Sequence, residues 1–270
     1  MNVKSALKSI IPHGIVVAVS RSEFRRRQRI AEVGRQVVPP GDGYSYGASI
    51  KFLCERGLPL GYVVGGSMPE ASLAFCAQEL GSRLPRDRAL VGLHVGNFLG
   101  VSLAYFTDFA KCRNSGSVVV SIDPNLTHCG IERPQDHTIA VLNHFGLQKN
   151  AIISVAYSGE KSVSNDGVKF GGYDPVVSHA SEQACENALA NLGALCPRRF
   201  DFAVLDGNHD AAYLGKEADA VRDLLAPGGV LIFDDVDDNW PDIKAEFARL
   251  GAHGWRQAGA DGRVGMLVME

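Results

Sequence analysis

The chain has 270 residues, of which 46% are hydrophobic and 21% are charged, and its formal net charge is −3. This composition supplies a sizeable core and excludes an intrinsically disordered chain, while the slight negative charge argues against nucleic acid as a partner. The longest apolar run is far shorter than the ~20 residues that cross a bilayer, which excludes a transmembrane span.

Six cysteines are scattered along the chain without a CxxC pair, which predicts reduced thiols in a cytoplasmic protein. A loosely signal-like apolar stretch near the N-terminus is interrupted by Pro12 and Gly14. Residues 1–60 are expected to form a helical, basic extension with an arginine run from Arg21 to Arg29. That run is either a solvated helix face or a contact with a membrane surface or an anionic glycan, and the extension could also pair the chain into a homo-oligomer.

From residue 61 onward, helical periodicity alternates with short apolar runs. Helices are predicted over residues 73–84, 102–111, 137–145, 181–195, 214–225 and 242–250. Strands are predicted over residues 89–95, 118–122, 151–155, 202–205 and 230–233, then near Trp255 and over 264–269. Continuous apolar strands that alternate with helices indicate an α/β fold with a parallel sheet buried on both faces. A short glycine-bearing turn joins the last two strands without a helix, which predicts an antiparallel hairpin.

In an open α/β sheet, ligands bind beyond the carboxyl ends of the strands. The first predicted strand leads into Gly96 and Gly100, a turn that lets the backbone and the amides of the next helix approach a ligand. Asp123 follows the second strand, where its carboxylate can accept both hydroxyls of a nucleoside ribose. Ser158 follows the third strand, where an adenine edge would lie. Alternatively, Gly96 and Gly100 form a simple tight turn, Asp123 caps a helix, and Ser158 is an ordinary turn residue.

The fourth and fifth predicted strands both end in acidic residues. Asp206 follows the fourth strand, and Asp234 and Asp235 follow the fifth, so neighbouring strands would bring three carboxylates to one rim. Three carboxylates in one cleft repel each other unless a cation lies among them, and an all-oxygen set suits Mg²⁺. His209 could reach a substrate hydroxyl there and act as its general base. Alternatively, the paired acids cap the next helix and His209 is a surface residue, while further acids from Asp237 onward leave a shifted ligand set open.

With these motifs the chain resembles the class I S-adenosylmethionine (SAM)-dependent methyltransferases over about residues 60–270. It looks most like the branch that contains sugar O-methyltransferases and relatives of the cephalosporin hydroxylase component. The motifs that carry the resemblance are Gly65-Gly66-Ser67, Gly96-x-x-x-Gly100-x-Ser102, Ile122-Asp123, Leu205-Asp206-Gly207-Asn208-His209, and Pro227-Gly228-Gly229-Val230 leading to Phe233-Asp234-Asp235. The resemblance implies a Rossmann-like, seven-stranded sheet with helices on both faces, and a methyltransferase domain over residues 61–270.

The resemblance also implies SAM as cofactor and Mg²⁺ as metal. Carried over, the catalytic residues are His209, as base, and Asp206, and the metal ligands are Asp206, Asp234 and Asp235. Contacts to the cofactor would come from Gly65, Ser67, Gly96, Asn97, Gly100, Ser102, Asp123, Ser158 and Asp206. This chain departs from its relatives in two ways: His94 stands where many have an acid, and Asn97 to Leu99 are bulkier than the usual small residues.

The leading hypothesis is a Mg²⁺-assisted O-methyltransferase that acts on a hydroxyl of a sugar, a glycan or a glycosylated small molecule. One alternative is a methyltransferase-like binding protein without catalysis, acting in glycan or secondary-metabolite assembly, for which His94 and the bulky glycine loop are the main support. The other is a nicotinamide-dependent oxidoreductase, but the GxGxxG fingerprint and the parallel final strand of that class are missing. We expect no nucleic acid as partner and at most a peripheral membrane contact.

Overall fold

The computed structural model describes residues 43–161, 184–197 and 199–269. Its helices are α1 Tyr46–Glu55, α2 Leu60–Gly65, α3 Glu70–Arg83, α4 Val101–Arg113, α5 Pro134–His144, α6 Ala188–Leu195, α7 Ala211–Leu224 and α8 Pro241–Gly251. Its strands are β1 Val91–Val95, β2 Val118–Asp123, β3 Ala151–Val155, β4 Phe200–Leu205, β5 Leu225–Phe233, β6 Trp255–Ala260 and β7 Gly265–Met269.

The seven strands form one sheet in the order β3-β2-β1-β4-β5-β7-β6. Strands β1 to β5 pair in parallel, with His94 of β1 in register with Ser121 of β2 and with Val204 of β4. Strand β7 runs antiparallel to β5, and β6 runs antiparallel to β7. The predicted seven-stranded α/β sheet with a C-terminal antiparallel hairpin is therefore confirmed.

The strands are apolar at consecutive positions because the two sides of the sheet belong to two separate cores. In β4, Val204 points into one core and Leu205 into the other, and all six residues of the strand are buried. Helices α1, α3, α4 and α5 cover the first side, and α6, α7 and α8 cover the second. A strand that is buried on both sides cannot alternate polar with apolar residues, which explains the pattern that predicted it.

Most predicted boundaries lie within a few residues of those observed, and two differ more. Strand β5 already begins at Leu225, so Pro227 to Gly229 lie inside it rather than in a turn before it. The register between β4 and β5 shifts there, and Gly228 has a φ of +77°, so the proline-glycine stretch is an irregular part of the strand. Helix α6 begins at Ala188 instead of residue 181, and residues 181–183 lie outside the described part.

Only residues 43–60 of the predicted N-terminal extension are described, and these residues pack on the core of the α/β sheet. Ile50 and Leu53 of α1 belong to the first core, and the Tyr44 hydroxyl donates a hydrogen bond to the Val101 carbonyl at 3.0 Å. The arginine run lies outside the described residues. The division at residue 60 stays a prediction, although the packing continues across it.

Among the described helices, none combines the length and the apolar character that crossing a membrane requires.

Candidate active site

A cavity of about 640 Å³ opens at the carboxyl ends of β1, β2, β4 and β5, where the sequence places the ligand site. Its volume is in the usual range for a small-molecule or cofactor site. Of the predicted site residues, those that line the cavity are Gly65, Ser67, Gly96, Asn97, Asp123, Ser158, Asp206, His209, Asp234 and Asp235. The cavity is also lined by residues that sequence reasoning missed, chiefly Phe98, Tyr213, Glu217, Trp240 and Arg263.

The turn after β1 approaches the end of β4 so closely that only glycine fits at its start. Gly96 has a φ of +76°, and a Cβ at this position would collide with the carbonyl oxygen of Asp206. Phe98 also has a positive φ, of 41°, and its ring lies against Gly66 and edge-on to His128, with centroids 4.9 Å apart. The loop thus brings the first glycine motif and the Gly65–Ser67 segment to one wall of the cavity.

Two predicted cofactor contacts do not line this cavity. Gly100 has a φ of +81° and packs against Thr138, so its backbone faces α5. Ser102 lies in the first turn of α4 and is buried. Asn97 does line the cavity, but its side-chain amide donates to the Ser121 hydroxyl at 2.6 Å. Motif spacing located the loop correctly, while the direction of each side chain depends on the packing behind it.

Asp123 lines the cavity and also holds the glycine turn. Its carboxylate accepts hydrogen bonds from the backbone amides of Asn97 at 2.9 Å, Phe98 at 3.3 Å and Asn125 at 2.6 Å. Burial raises the pKa of Asp123, and these three donors oppose that effect. A carboxylate has about four acceptor positions, so one remains for a ligand hydroxyl at the cavity surface.

The three predicted acids do meet at the rim between β4 and β5. Asp234 and Asp235 are 4% and 3% exposed, and Asp206 is partly buried beside them. Burial, followed by the negative charges of Asp234 and Asp235, raises the pKa of Asp206 well above its ordinary value. Asp206 therefore carries its proton far more readily than a solvated aspartate.

His209 is held by a carboxylate and an aromatic ring. Its Nε2 lies 2.6 Å from Oδ2 of Asp235, and its imidazole stacks on Trp240 with ring centroids 4.5 Å apart and an interplanar angle of 15°. Asp235 adopts a φ of +60°, which is rare for a residue other than glycine and is typical of functional sites. A carboxylate at this distance stabilises an imidazolium, so the arrangement suits a group that takes up a proton.

Arg263 reaches the acidic rim from the connection between β6 and β7. Its Nε donates to Oδ1 of Asp234 and its Nη2 to Oδ2 of the same carboxylate, both at 2.8 Å, and Nη2 lies 2.8 Å from Oδ1 of Asp235. Burial lowers the pKa of Arg263, but the hydrogen bonding to Asp234 and the negative charges of Asp234, Asp235 and Asp206 outweigh burial, and the net pKa is raised. The sequence predicted the glycine-bearing turn between the last two strands, but it did not predict a role for Arg263 next to that turn.

The predicted metal set of Asp206, Asp234 and Asp235 is not the set of ligand atoms that the structure brings closest together, and it stays a prediction. Both oxygens of Asp234 accept hydrogen bonds from Arg263, so that carboxylate is already paired with a cation. A different group, formed by Asp206, His209 and Asp235, has potential ligand atoms within 4.8 Å of one another. In that group Asp235 is already shared between His209 and Arg263.

The opposite wall contains a chain of hydrogen bonds around the predicted Ser158. The Tyr213 hydroxyl accepts from the Gly159 amide at 3.1 Å and donates to the Glu160 carbonyl at 2.9 Å. The Ser158 hydroxyl lies 3.2 Å from Tyr213 and also bonds the carboxyl group of Glu217. Tyr213 and Glu217 are one helical turn apart on α7, a spacing that places both on the same face.

Glu217 is a nearly completely buried carboxyl group, at 3% exposure. One of its oxygens accepts from the Ser158 hydroxyl, while Oε2 has no hydrogen-bond partner among the described residues. Burial raises the pKa of Glu217 to about 7, and the hydrogen bond from Ser158 only partly opposes this effect. Glu217 therefore keeps its proton to a much higher pH than a solvated glutamate.

His94 lies in the first core and does not line the cavity. Its side chain is fully buried near Phe106, and neither ring nitrogen makes a hydrogen bond of standard geometry to a described residue. Burial lowers the pKa of His94 to about 3, so the ring is neutral. The position where many relatives carry an acid thus contributes no charge to the site.

Known proteins were compared with this chain by sequence and by structure. The family model described as a methyltransferase domain matches residues 93–236. Curated protein sequences give no match.

The solved structures that share the fold include three methyltransferases. The SAH-bound methyltransferase PaMTH1 of Podospora anserina has a TM-score of 0.54 at 12% identity, covering 97% of this chain and 98% of its own. The O-methyltransferase TomG of Streptomyces achromogenes, in complex with SAM, has a TM-score of 0.51 at 13% identity, covering 89% and 95%. The TDP-rhamnose 3'-O-methyltransferase CalS11 has a TM-score of 0.50 at 13% identity, covering 83% and 92%.

These structural likenesses, all at low identity, show the fold. The family model spans more than half of the chain, from β1 through β5, and includes the glycine turn, Asp123 and the acidic rim. The sheet order with its terminal antiparallel hairpin and the cavity at the strand ends agree with that match. The chain therefore belongs to the methyltransferase-domain family, the class I SAM-dependent methyltransferases.

Proposed function

We propose that this protein transfers the methyl group of SAM to a hydroxyl of a sugar, a glycan or a glycosylated small molecule. The observation that carries the proposal is the contact between His209 and Asp235 inside the cavity, at 2.6 Å. An alcohol is a poor nucleophile until it loses its proton, whereas the methyl group of a sulfonium is already activated. The residue such an enzyme needs most is a base within reach of the acceptor, and His209 is that base.

The cofactor would lie across the carboxyl ends of β1, β2 and β3. Asp123 would accept one ribose hydroxyl at its remaining acceptor position, and Ser158, on the wall with Tyr213 and Glu217, would lie at the adenine. Gly96 leaves the space for the methionine part beside Asp206. With this placement His209 would lie in the same cavity as the methyl group that SAM supplies.

The transfer is an in-line displacement in which the acceptor oxygen forms a bond to the methyl carbon and the carbon–sulfur bond breaks. His209 takes the hydroxyl proton, and the electron pair of the broken bond stays on sulfur, which leaves neutral S-adenosylhomocysteine. Asp235 stabilises the imidazolium, and the Trp240 ring keeps the imidazole in its plane. Positioning and proton removal together supply most of the catalysis that such a reaction needs.

A divalent ion bound at the rim would lower the pKa of the acceptor hydroxyl, and Asp206, His209 and Asp235 are the residues that would hold it. The Arg263 guanidinium already compensates two of the rim carboxylates. The proposed reaction therefore assigns no step to Mg²⁺.

The test combines calorimetry with a transfer assay. SAM should bind the wild-type protein and His209→Gln with the same affinity, whereas Asp123→Ala should bind at least tenfold more weakly. Radiolabelled SAM is then incubated with a panel of nucleotide-linked sugars and glycosides. A hydroxyl acceptor should become labelled, and His209→Gln should slow the transfer about 10²–10⁴-fold.

The two results exclude different alternatives. Absence of SAM binding to the wild type would favour a binding protein without catalysis. Transfer that is unaffected by His209→Gln would remove His209 from the mechanism, and labelling of a nitrogen or sulfur acceptor would refute the assignment to a hydroxyl.

A further inference from the structure

The acids that follow β5 meet a cation that belongs to the chain itself. Both oxygens of Asp234 accept hydrogen bonds from Arg263 at 2.8 Å, and Oδ2 of Asp235 lies 2.6 Å from Nε2 of His209. Oδ1 of Asp235 lies 2.8 Å from Nη2 of Arg263, an ion-pair contact without hydrogen-bond geometry. The side chain of Arg263 is 31% exposed and lines the cavity, whereas the two carboxylates are almost completely buried. The guanidinium and the two carboxylates thus line the same part of the cavity, and the guanidinium is the more exposed of them.

Arg263 is fixed at this place by its backbone as well as by its side chain. Its amide donates to Oδ1 of Asp261 at 2.9 Å, and its carbonyl accepts from the Val236 amide at 2.8 Å. The Val264 amide donates to the same Asp261 oxygen at 2.7 Å. The loop after β5 and the β6–β7 connection are therefore joined at the residue that carries the cation, so the guanidinium is preorganised.

A guanidinium and a divalent ion compete for the same carboxylates. Arginine stays charged at any working pH, and its planar donors match a carboxylate in two places. A divalent ion at the rim would lie close to that charge in a poorly solvated environment, where repulsion between cations is strong. It would also have to share Asp235 with two nitrogens.

We propose that Arg263 is the resident cation of the acidic rim formed by Asp206, Asp234 and Asp235, and that it takes the place of a divalent metal ion there. Methyl transfer by this protein is then independent of metal. This inference rests on the proposed function, since it concerns how the base of that reaction is held. Arg263 acts through Asp235, which contacts His209, and is therefore a positioning residue. The acidic cluster that predicted Mg²⁺ is instead the counter-charge of an arginine.

The experiment measures binding of Mn²⁺ alone, by calorimetry and by the loss of its free-ion EPR signal. The proteins are the wild type, Arg263→Met, which removes the charge but keeps the length, and Arg263→Lys, which keeps the charge. Arg83→Met is the matched control, since Arg83 pairs with Glu79 on α3, on the surface. Circular dichroism confirms that each variant is folded.

Arg263→Met should bind Mn²⁺ at least tenfold more tightly than the wild type, while Arg263→Lys and Arg83→Met should bind as the wild type does. A purely structural arginine would produce no gain of binding when it is removed. A gain of less than tenfold overturns the proposal. If Arg263→Met does not fold, the wild type decides: saturation by Mn²⁺ below about 0.1 mM overturns the proposal, and weaker binding supports it.

SAM binding and a chelator distinguish this inference from the function on which it rests. If the wild type binds SAM and methylates a hydroxyl, EDTA should leave its rate unchanged. A rate that EDTA abolishes and Mg²⁺ restores would refute the resident cation but keep the methyltransferase. Failure to bind SAM would refute the proposed function, whatever the Mn²⁺ titrations show.

Discussion

Replacing Glu217 by glutamine should stabilise the protein in neutral and alkaline solution. In the folded protein the carboxyl group of Glu217 is buried, and one of its oxygens accepts a hydrogen bond from the Ser158 hydroxyl. A glutamine amide has nearly the same shape, its carbonyl oxygen can accept the same hydrogen bond, and it carries no charge at any pH. The wild-type side chain must instead either keep its proton or ionise in the protein interior.

The size of the effect follows from the pKa. Burial raises the pKa of Glu217 from 4.5 to about 7, and the hydrogen bond from Ser158 and the charge of His209 only partly oppose it. Because the folded state binds the proton more strongly than the unfolded state, the wild type loses stability as the pH rises from about 4.5 to about 7. In full, this loss of wild-type stability is about 3 kcal/mol. The glutamine variant avoids it but is itself destabilised by about 1 kcal/mol, because its buried amide has a hydrogen without a partner. Glu217→Gln should thus be about 2 kcal/mol more stable at pH 8.

Urea denaturation at pH 5 and at pH 8 measures both free energies of unfolding. The difference between the variant and the wild type should appear at pH 8 and be small or reversed at pH 5. Glu160→Gln, an exposed residue near the same wall, is the control and should change neither value by more than about 0.5 kcal/mol. A variant that is no more stable than the wild type at pH 8 would refute the raised pKa of Glu217.

Two further substitutions test the backbone and the sheet. Gly96→Ala should lower the free energy of unfolding by about 3 kcal/mol and abolish SAM binding in calorimetry. The backbone at this position has a φ of +76°, and the new Cβ would collide with the carbonyl oxygen of Asp206 at the end of β4. Gly130→Ala, also at positive φ but with open space around it, should cost only about 1 kcal/mol, and equal losses would contradict the role of the collision. Asp201→Asn should cost about 2 kcal/mol in urea denaturation, since the buried carboxylate accepts from the Arg88 guanidinium and from the Val91 amide at 2.8 Å. A loss below about 0.5 kcal/mol would show that this ion pair does not stabilise the sheet.

The sequence allowed the sheet and the location of the site to be predicted because both depend on where strands end. Apolar runs mark the strands, and the residue after each run has to lie at the same edge as its neighbours. This reasoning brought Asp123, Asp206 and Asp235 to one cavity without any knowledge of side-chain directions. The hairpin followed from a turn that is too short to hold a helix.

The remaining parts of the site depend on contacts between residues that are distant in the chain. Nothing local to Arg263 shows that its side chain crosses to Asp234, because that contact needs β7 to lie beside β5. Glu217 looks like an ordinary helix residue until α7 packs it beneath Ser158. The glycine motif placed Gly100 on the cavity wall, whereas Thr138 from α5 packs behind it. Side-chain reach and helix packing are tertiary properties that spacing alone does not encode.

The position of Arg263 also has a consequence for synthesis of the chain on the ribosome. Strands β1 to β5 and all three rim acids are translated before the hairpin that supplies the guanidinium and covers the open side of β5. Until residue 263 leaves the exit tunnel, burying those acids would leave charges without a partner, which costs several kcal/mol. The nascent domain should therefore stay open at this edge, and the rim should close as one of the last events of folding, after translation of the hairpin.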